Sequence, residues 1–344
     1  MRVKAVERKS ERADTAYSPR VREEKPSATA SLDAKSSSLH IFGIISAMKK
    51  IAVLMGGTSS EREVSLQSGR NVAEALASLG KYEVVPVILD ADNLDAMPKD
   101  VDAAYIALHG GWGENGGVQL ALDKIGVPYT GPGAAASQIA MDKVKTKMVL
   151  EMNGVPTAAW GLANPDTEKS PLPLPVVVKP PCDGSSVGIS KVSKQEDWKD
   201  ALDSAFAAQG GAGVVMVEEF VPGREFTVGV IDGEPLPVLE IVAPNGWYGY
   251  HEKYDSNETR YPFLEDGELA QKMQKIAVDA YKAVGCRGVT RIDFRVSPLG
   301  RCYVLELNTS PGFTSHSLVP KAGMKTGLTF AGVCDRILAS AKHD

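Results

Sequence analysis

Cysteine is scarce: four in 344 residues, at Cys182, Cys286, Cys302 and Cys334. No two form C-x-x-C, which argues against a zinc cage or a redox dithiol. Four scattered thiols in a chain of this size fit a reducing cytoplasm. No stretch approaches the roughly 18 apolar residues needed to span a bilayer. Basic residues are not in excess, 38 Lys and Arg against 43 Asp and Glu for a net charge of −5. A global basic field for nucleic acid is therefore absent. The Walker loop G-x-x-x-x-G-K-[ST] is missing throughout, and G-x-G-x-x-G is missing after the first strand, so neither nucleotide fingerprint applies. What remains is ordinary, 43% hydrophobic and 24% charged. The length suggests two or three domains at roughly 100–200 residues each. Such a chain can bury a core without disulfide or metal support.

Residues 1–48 differ from the rest. They carry nine Lys and Arg against six Asp and Glu, a surplus of three positive charges, which leaves −8 for the remainder. This serine-rich segment lacks apolar periodicity, and its composition cannot bury enough surface to offset ordering entropy. The apolar patch at 41–47 is too short and too far in for a signal peptide. The expectation is a disordered extension, or an upstream start with Met48 as the true one. A docking or targeting role is the alternative.

A β-loop-α-β pattern follows. Ile51–Met55 reads as a buried strand, Gly56–Ser60 as a loop, and Glu61–Leu79 as a helix ended by Gly80. Tyr82–Leu89 and Ala103–Leu108 read as further strands, the start of a doubly wound layer. Ligands bind at the carboxyl ends of such strands, so the loops at Gly56 and His109 are site candidates. For Gly56-Gly57 a plain tight turn is the alternative. A helix start carrying Glu61 and Ser65 can hold an ammonium and present N–H donors. Lys143, Lys145 and Lys147 lie along an expected helix from Met141 to Gly154, where such lysines usually form a solvated face.

Val176–Lys179 reads as a buried strand ending in a lysine. The loop Asp183–Ile189 that follows has glycines and serines able to fold over phosphates. It also fits G-x-S-x-G, the nucleophile elbow, with Ser186 as nucleophile. An elbow requires a helix directly after the serine, whereas Ile189–Val192 reads as extended. More strands are expected at Val214–Phe220, Gly223–Val230 and Glu234–Val242. The irregular stretch from Pro244 to Pro262 reads as a lid, and Glu268–Val284 as a helix ended by Gly285.

Near the end, Arg291–Val296 and Cys302–Asn308 read as two strands of a hairpin turning at Ser297–Arg301. A turn centred between Leu299 and Gly300 sets Asp293 opposite Glu306, with Cβ atoms about 4.5–5.5 Å apart. Arg291 shares a face with Asp293, and Glu306 with Asn308. Hard oxygen ligands from a few carboxylates, completed by phosphate oxygens, suit magnesium with a nucleotide. An ion-pair ladder among Arg291, Asp293 and Glu306 is the alternative.

Seven segments together resemble one family: GGTSSEREVS at 56–65, ALHG at 107–110, MDK at 141–143, VVVKPPCDGSSVG at 176–188, HEKY at 251–254, RIDF at 291–294 and ELNTSPGFTSHSLVP at 306–320. The chain from about Lys49 to Leu338 resembles the D-alanine–D-alanine ligases of the ATP-grasp superfamily. That resemblance implies an α/β (α+β) ATP-grasp fold. Its parts would be an N-terminal doubly wound α/β substrate domain at 49–134, a central ATP-grasp subdomain at 135–218 and a C-terminal one at 219–344 with the metal site. It implies joining of two D-alanines through a D-alanyl phosphate, for cell-wall peptidoglycan precursors. ATP is the co-substrate, with two magnesium or manganese ions. A cytoplasmic homodimer without nucleic-acid or membrane partners is expected.

The resemblance also carries residue roles. Lys143 and Lys179 would hold the α- and β-phosphates, and Lys253 would also meet phosphate. Glu218, Phe220, Val221 and Glu225 would cradle adenosine, with Glu225 on the ribose. Asp293, Glu306 and Asn308 would be the metal ligands. Arg291 and the Gly312 N–H would face the tetrahedral oxyanion. Glu61 would hold the first ammonium, with Val64 and His109 in the same pocket, while Ser317 and Leu318 would anchor the second carboxylate. Ser185 and Tyr254 would join Glu61 in a latch over the site. Ligases making D-alanyl-D-lactate carry phenylalanine at the position of Tyr254, so tyrosine implies the dipeptide. Two departures stand out, Asn115 and Gly117, where the family usually has Asp and Thr. Cys182, just before the phosphate loop, is a position where alkylation would obstruct closure; an inert small residue is the alternative.

Overall fold

A computed structural model describes residues 48–344 apart from 183–187, 212, 245–257 and 315. The N-terminal segment 1–47, and with it the expected extension, lies outside the described residues.

Three sheets are present among the described residues. The first is parallel, ordered β2-β1-β3, from β1 (Lys49–Gly56), β2 (Tyr82–Leu89) and β3 (Ala103–Ile106). Its central strand is apolar along its length because both faces are covered; Ile51 through Met55 are at most 1% exposed. Helix α1 (Arg62–Ser78) crosses one face. It packs closely at Gly69, where a Cβ would stand 2.4 Å from that of Met55. The short helices α2 (Gly111–Glu114) and α3 (Gly117–Ile125) follow β3.

The second sheet is antiparallel, ordered β4-β7-β5-β6, from β4 (Trp160–Ala163), β5 (Val176–Lys179), β6 (Ser190–Val192) and β7 (Val215–Glu219). Helix α6 (Trp198–Ala208) buries Trp198, Leu202 and Ala205 against it. The third sheet is also antiparallel, ordered β10-β8-β11-β12 with β9 paired to β8. Its strands are β8 (Arg224–Ile231), β9 (Glu234–Pro235), β10 (Leu239–Ile241), β11 (Val289–Val296) and β12 (Cys302–Asn308). Helix α7 (Glu268–Val284) sets Met273, Ala277 and Ala280 into its core. Gly285 ends that helix in the left-handed conformation, as a C-terminal glycine does. The C-terminal helices α8 (Leu318–Lys325) and α9 (Phe330–Ala339) return to the first sheet. Cys334 and Ile337 share a core with Met55, Leu76 and Tyr105.

Two expectations are corrected. The single helix expected from Met141 is interrupted: α4 (Ala134–Met141) stops at Asp142, and α5 (Lys143–Met152) starts after it. Asp142 adopts an extended conformation, and its carboxylate caps α5 by accepting from the Val144 and Lys145 N–H groups. The lysines do not form a solvated face either. Lys145 is exposed, but Lys143 and Lys147 are buried, because α5 packs that side against β12 and α7.

Candidate active site

The carboxyl ends of β1 and β3 meet the segment after β12 around a cavity of about 840 Å³, large enough for small-molecule substrates. Of the residues predicted for the site, Glu61, Val64, His109, Lys143, Arg291, Glu306, Asn308, Gly312, Ser317 and Leu318 line it.

Serines join the two Gly-rich loops. Ser65 Oγ accepts from the Gly56 N–H at 2.9 Å and donates to the Ala107 carbonyl at 2.8 Å. Ser59 Oγ donates to the His109 carbonyl at 2.5 Å. Glu61 occupies the N-cap position of α1, but its side chain makes no capping bond. Its carboxylate instead lies over Gly110, where a Cβ would come within 2.8 Å of Oε2.

His109 is buried between the first sheet and the segment after β12. Its Nδ1 lies 3.0 Å from the Ser310 carbonyl and its Nε2 2.9 Å from Ser68 Oγ. A carbonyl can only accept, so Nδ1 carries the proton and Nε2 accepts from the serine hydroxyl. Burial lowers the His109 pKa, which keeps this neutral form. Ser310 Oγ donates to the Leu108 carbonyl, and the Phe313 N–H donates to Ser68 Oγ. The segment from Thr309 to Phe313 is thus sewn onto the first sheet. At Gly312 a Cβ would stand 2.9 Å from Ser317 Oγ. Ser317 opens α8 without a side-chain cap, and a helix N-terminus favours an anion.

On the hairpin, Asp293 is directly opposite Glu306, and Arg291 opposite Asn308. The expected pair holds for a reason the spacing did not show. From Phe294↔Val304 to Val296↔Cys302 the register is one residue tighter, and a β-bulge beside Asp293 restores the pairing. Arg291 binds both oxygens of Asp293, at 2.9 and 2.8 Å. Thr227 and Asn308 also donate to that carboxylate, at 2.6 and 3.0 Å. Glu306 instead faces Lys143, with Nζ at 3.5 Å. The ladder alternative is thus seen in the Arg291–Asp293 pair, and Glu306 meets Lys143.

The donor set fits a hard cation. Among the described residues no group of three or more His, Cys, Asp or Glu could hold a metal ion. A cation here would take two carboxylates and the Asn308 amide oxygen, with its remaining ligands supplied by phosphate. Magnesium is commonly held in this way, by one or two carboxylates plus substrate phosphates.

The residues predicted to cradle adenosine lie on β5, β7 and the approach to β8. Lys179 and Glu218 share a face through the registers Val177↔Glu218 and Lys179↔Met216, and they form an ion pair. Phe220 stacks under Lys191, whose Nζ is 3.7 Å from the ring centroid. Arg295 links the other members: Nε donates to the Val221 carbonyl at 3.2 Å, and Nη1 lies 3.4 Å from Glu225. Ser185, Lys253 and Tyr254 lie outside the described residues, as does Ser186. The strand β6 follows that loop and pairs antiparallel with β5, so the elbow's strand-to-helix geometry is absent there.

Sequence reasoning missed three residues. Glu114 lines the cavity, and burial, with the Glu61 charge adding to it, pushes its pKa up to about 8. Arg295 enters through the cross-strand register Arg295↔Glu225, between strands too far apart in the chain for their spacing to fix it. Lys147 gave no signal, because its helix pattern matches a solvated one. The structure accounts for one of the two departures, Gly117, and gives no reason for asparagine over aspartate at 115. Asn115 Oδ1 accepts from the Gly117 N–H, starting α3. A Cβ at Gly117 would fall 2.2 Å from Trp112 Cδ1, so the threonine usual in the family cannot coexist with this tryptophan's position.

Comparison with known proteins identifies the family. The family model "D-ala D-ala ligase C-terminus" matches residues 146–339, and "D-ala D-ala ligase N-terminus" matches 50–95. A D-alanine–D-alanine ligase of Bordetella avium is 44% identical over 310 residues, covering 85% of this chain and 94% of that protein. One of Syntrophotalea carbinolica is 43% identical, covering 85% and 96%. Among solved structures, the D-alanine–D-alanine ligase of Bacillus anthracis complexed with ATP superposes with a TM-score of 0.73 at 31% identity, covering 85% of this chain and 97% of that one. The VanG D-Ala:D-Ser ligase of Enterococcus faecalis gives 0.73 at 28% identity, covering 85% and 98%. With a family model matching more than half of its length and relatives of 43–44% identity covering 85% of it, the chain belongs to the D-alanine–D-alanine ligase family of ATP-grasp enzymes.

Proposed function

We propose that the cavity joins two D-alanines at the expense of ATP, by way of an acyl phosphate, to make the dipeptide of peptidoglycan precursors. The observation that carries the reading is the hairpin pairing of Asp293 with Glu306, with Glu306 lining one cavity together with Glu61, Gly312 and Ser317.

A carboxylate is a poor electrophile, since attack on it would have to expel oxide. In the first step an oxygen of the first D-alanine attacks the γ-phosphorus, and ADP leaves. In the second, the free amine of the second D-alanine attacks the acyl carbon, and the tetrahedral intermediate collapses with loss of phosphate. Glu61 holds the first ammonium, in the pocket walled by Val64 and His109. Lys143 and Lys179 balance phosphate charge, and Lys253 joins them. Glu218, Phe220, Val221 and Glu225 receive the adenosine. Asp293, Glu306 and Asn308 would hold magnesium or manganese, two ions by the resemblance, and the metal would supply positive charge to offset that on the transferring phosphate. Arg291, now on Asp293, and the Gly312 N–H stabilise the oxyanion. Ser317 and Leu318 at the start of α8 take the second carboxylate. Ser185 and Tyr254 complete a latch with Glu61, excluding water from the acyl phosphate.

The three sheets support a division into the substrate domain at 49–134 and ATP-grasp subdomains at 135–218 and 219–344. Among the described residues no helix is long and apolar enough to cross a membrane. A cytoplasmic homodimer is inferred from the resemblance alone. The test is phosphate release with ATP and magnesium. D-Alanine should stimulate it and L-alanine should not; equal rates with both would refute the reading.

A further inference from the structure

Lys147 takes no part in the chemistry above, yet it is 0% exposed. Its ammonium donates to Glu218 Oε1 and Thr157 Oγ1 and reaches the Val304 carbonyl at 3.3 Å. An ammonium has three donors, and these partners use all three. Thr157 in turn donates to the same Val304 carbonyl at 2.8 Å. Lys147 is therefore locked among α5, β7 and β12. Lys179 differs: it ends β5 beside a loop, is 9% exposed and donates to the other oxygen, Glu218 Oε2.

Two lysine ammonium groups thus share one carboxylate in a poorly solvated place. Such an arrangement is costly unless another anion completes it. Lys179, held among the described residues by this one hydrogen bond to Glu218, is the partner that can turn to an incoming phosphate. Lys147 cannot leave, so Glu218 keeps a counter-ion after Lys179 departs. Burial alone would raise the Glu218 pKa, but the charges of Lys147 and Lys179 outweigh it and the carboxylate stays ionised. An ionised carboxylate only accepts hydrogen bonds. Once Lys179 moves, Oε2 suits an N–H donor and repels a carbonyl oxygen.

We propose that Lys147 is a positioning residue for nucleotide selection: as the permanent counter-ion of Glu218 Oε1, it lets Lys179 exchange onto phosphate and leaves Oε2 as an acceptor for the exocyclic amine of adenine. The proposal rests on the reading that Glu218 belongs to the adenosine cradle. Hypoxanthine, with an oxo group in place of the amine, is the matched probe of that acceptor.

The test compares ATP with ITP in steady-state kinetics of the full chain with D-alanine and magnesium, for Lys147→Met, Lys147→Gln and Glu218→Gln. Hydrogen bonds to charged groups are worth about 1.5–3 kcal/mol, so both Lys147 variants should raise KM for ATP roughly ten- to a hundredfold, with a smaller change in kcat. The ATP/ITP ratio of kcat/KM should fall by about tenfold or more, because a site built around a hydrogen bond discriminates through it. A merely structural lysine would lower the active fraction for both nucleotides alike; an unchanged ratio overturns the proposal. Thr157→Val, which removes one anchor of Lys147 but keeps its charge, should shift the ratio the same way by a smaller factor. It decides the matter if both Lys147 variants fail to fold, and an unchanged ratio there also counts against the proposal. If Glu218→Gln shifts the ratio while the Lys147 variants do not, the Lys147 role is wrong and the cradle reading stands. If Glu218→Gln leaves the ratio unchanged, the cradle reading itself falls.

Discussion

Asp293 and Glu306 face each other across the hairpin, and each meets a different cation: Arg291 holds the first and Lys143 the second. Two carboxylates this close repel unless positive charge lies near them. In the proposed reaction both cations also act on substrate, so a metal ion arriving with the nucleotide would release them for that work.

Removing either carboxylate charge should therefore damage turnover more than folding. Asp293→Asn and Glu306→Gln are each expected to lower kcat on the order of a hundredfold or more, the loss of several kcal/mol of charge stabilisation. Phosphate release titrated with magnesium would check it. Near-normal kcat at saturating magnesium would remove the hairpin from the metal site.

Gly110 combines a positive φ of 66° with a contact to Glu61 Oε2 that leaves no room for a methyl group. Gly110→Ala should cost roughly 1–2 kcal/mol for the backbone alone. It should also displace the Glu61 carboxylate, raising KM for the first D-alanine. A melt that shifts without any change in KM would mean that Glu61 is placed by something else.

Glu114 predicts a pH effect on stability. Its pKa is about 8 in the folded chain against 4.5 for an ordinary glutamate. Between these values the folded protein keeps a proton that the unfolded chain has lost. Stability therefore falls as pH rises through that window and levels off above about 8. Glu114→Gln removes the group, so its melting temperature should decline less between pH 5 and pH 8. Identical slopes in ligand-free protein would contradict the buried, protonated carboxyl.

The Trp112–Gly117 contact predicts a coupled pair. Gly117→Thr alone should destabilise the chain by roughly 1–3 kcal/mol through overpacking. Trp112→Ala should make the threonine acceptable, a coupling that a double-mutant cycle by denaturant unfolding would read. Additive effects would show that the tryptophan simply moves aside.

Much of the site was legible because it is local. The period-2 face of β12 aligns Glu306 with Asn308, and a helix that stops at a glycine marks α7 to the residue. The tightened register beside Asp293 was not legible, since a bulge and a shifted turn cancel in the spacing. Nor was the break at Asp142, where a capping carboxylate interrupts an otherwise continuous helical pattern. Lys147 shows the deeper limit. Helical periodicity tells which residues share a side, but only tertiary packing decides which sides meet water, and α5 is covered where its lysines suggest exposure.

Ten residues, from Asn308 to Ser317, carry the proposed metal ligand, the proposed backbone donor at Gly312 and the proposed carboxylate anchor, while Ser310 and Phe313 pin the same peptide to the first sheet. Three distances that the proposed reaction needs would thus be set by one short ribbon. An insertion or deletion of a single residue in it would spoil all of them together, whereas the cavity's other walls can vary independently. Any shift in this enzyme's choice of second amino acid should accordingly arise in those walls and leave the ribbon's length alone.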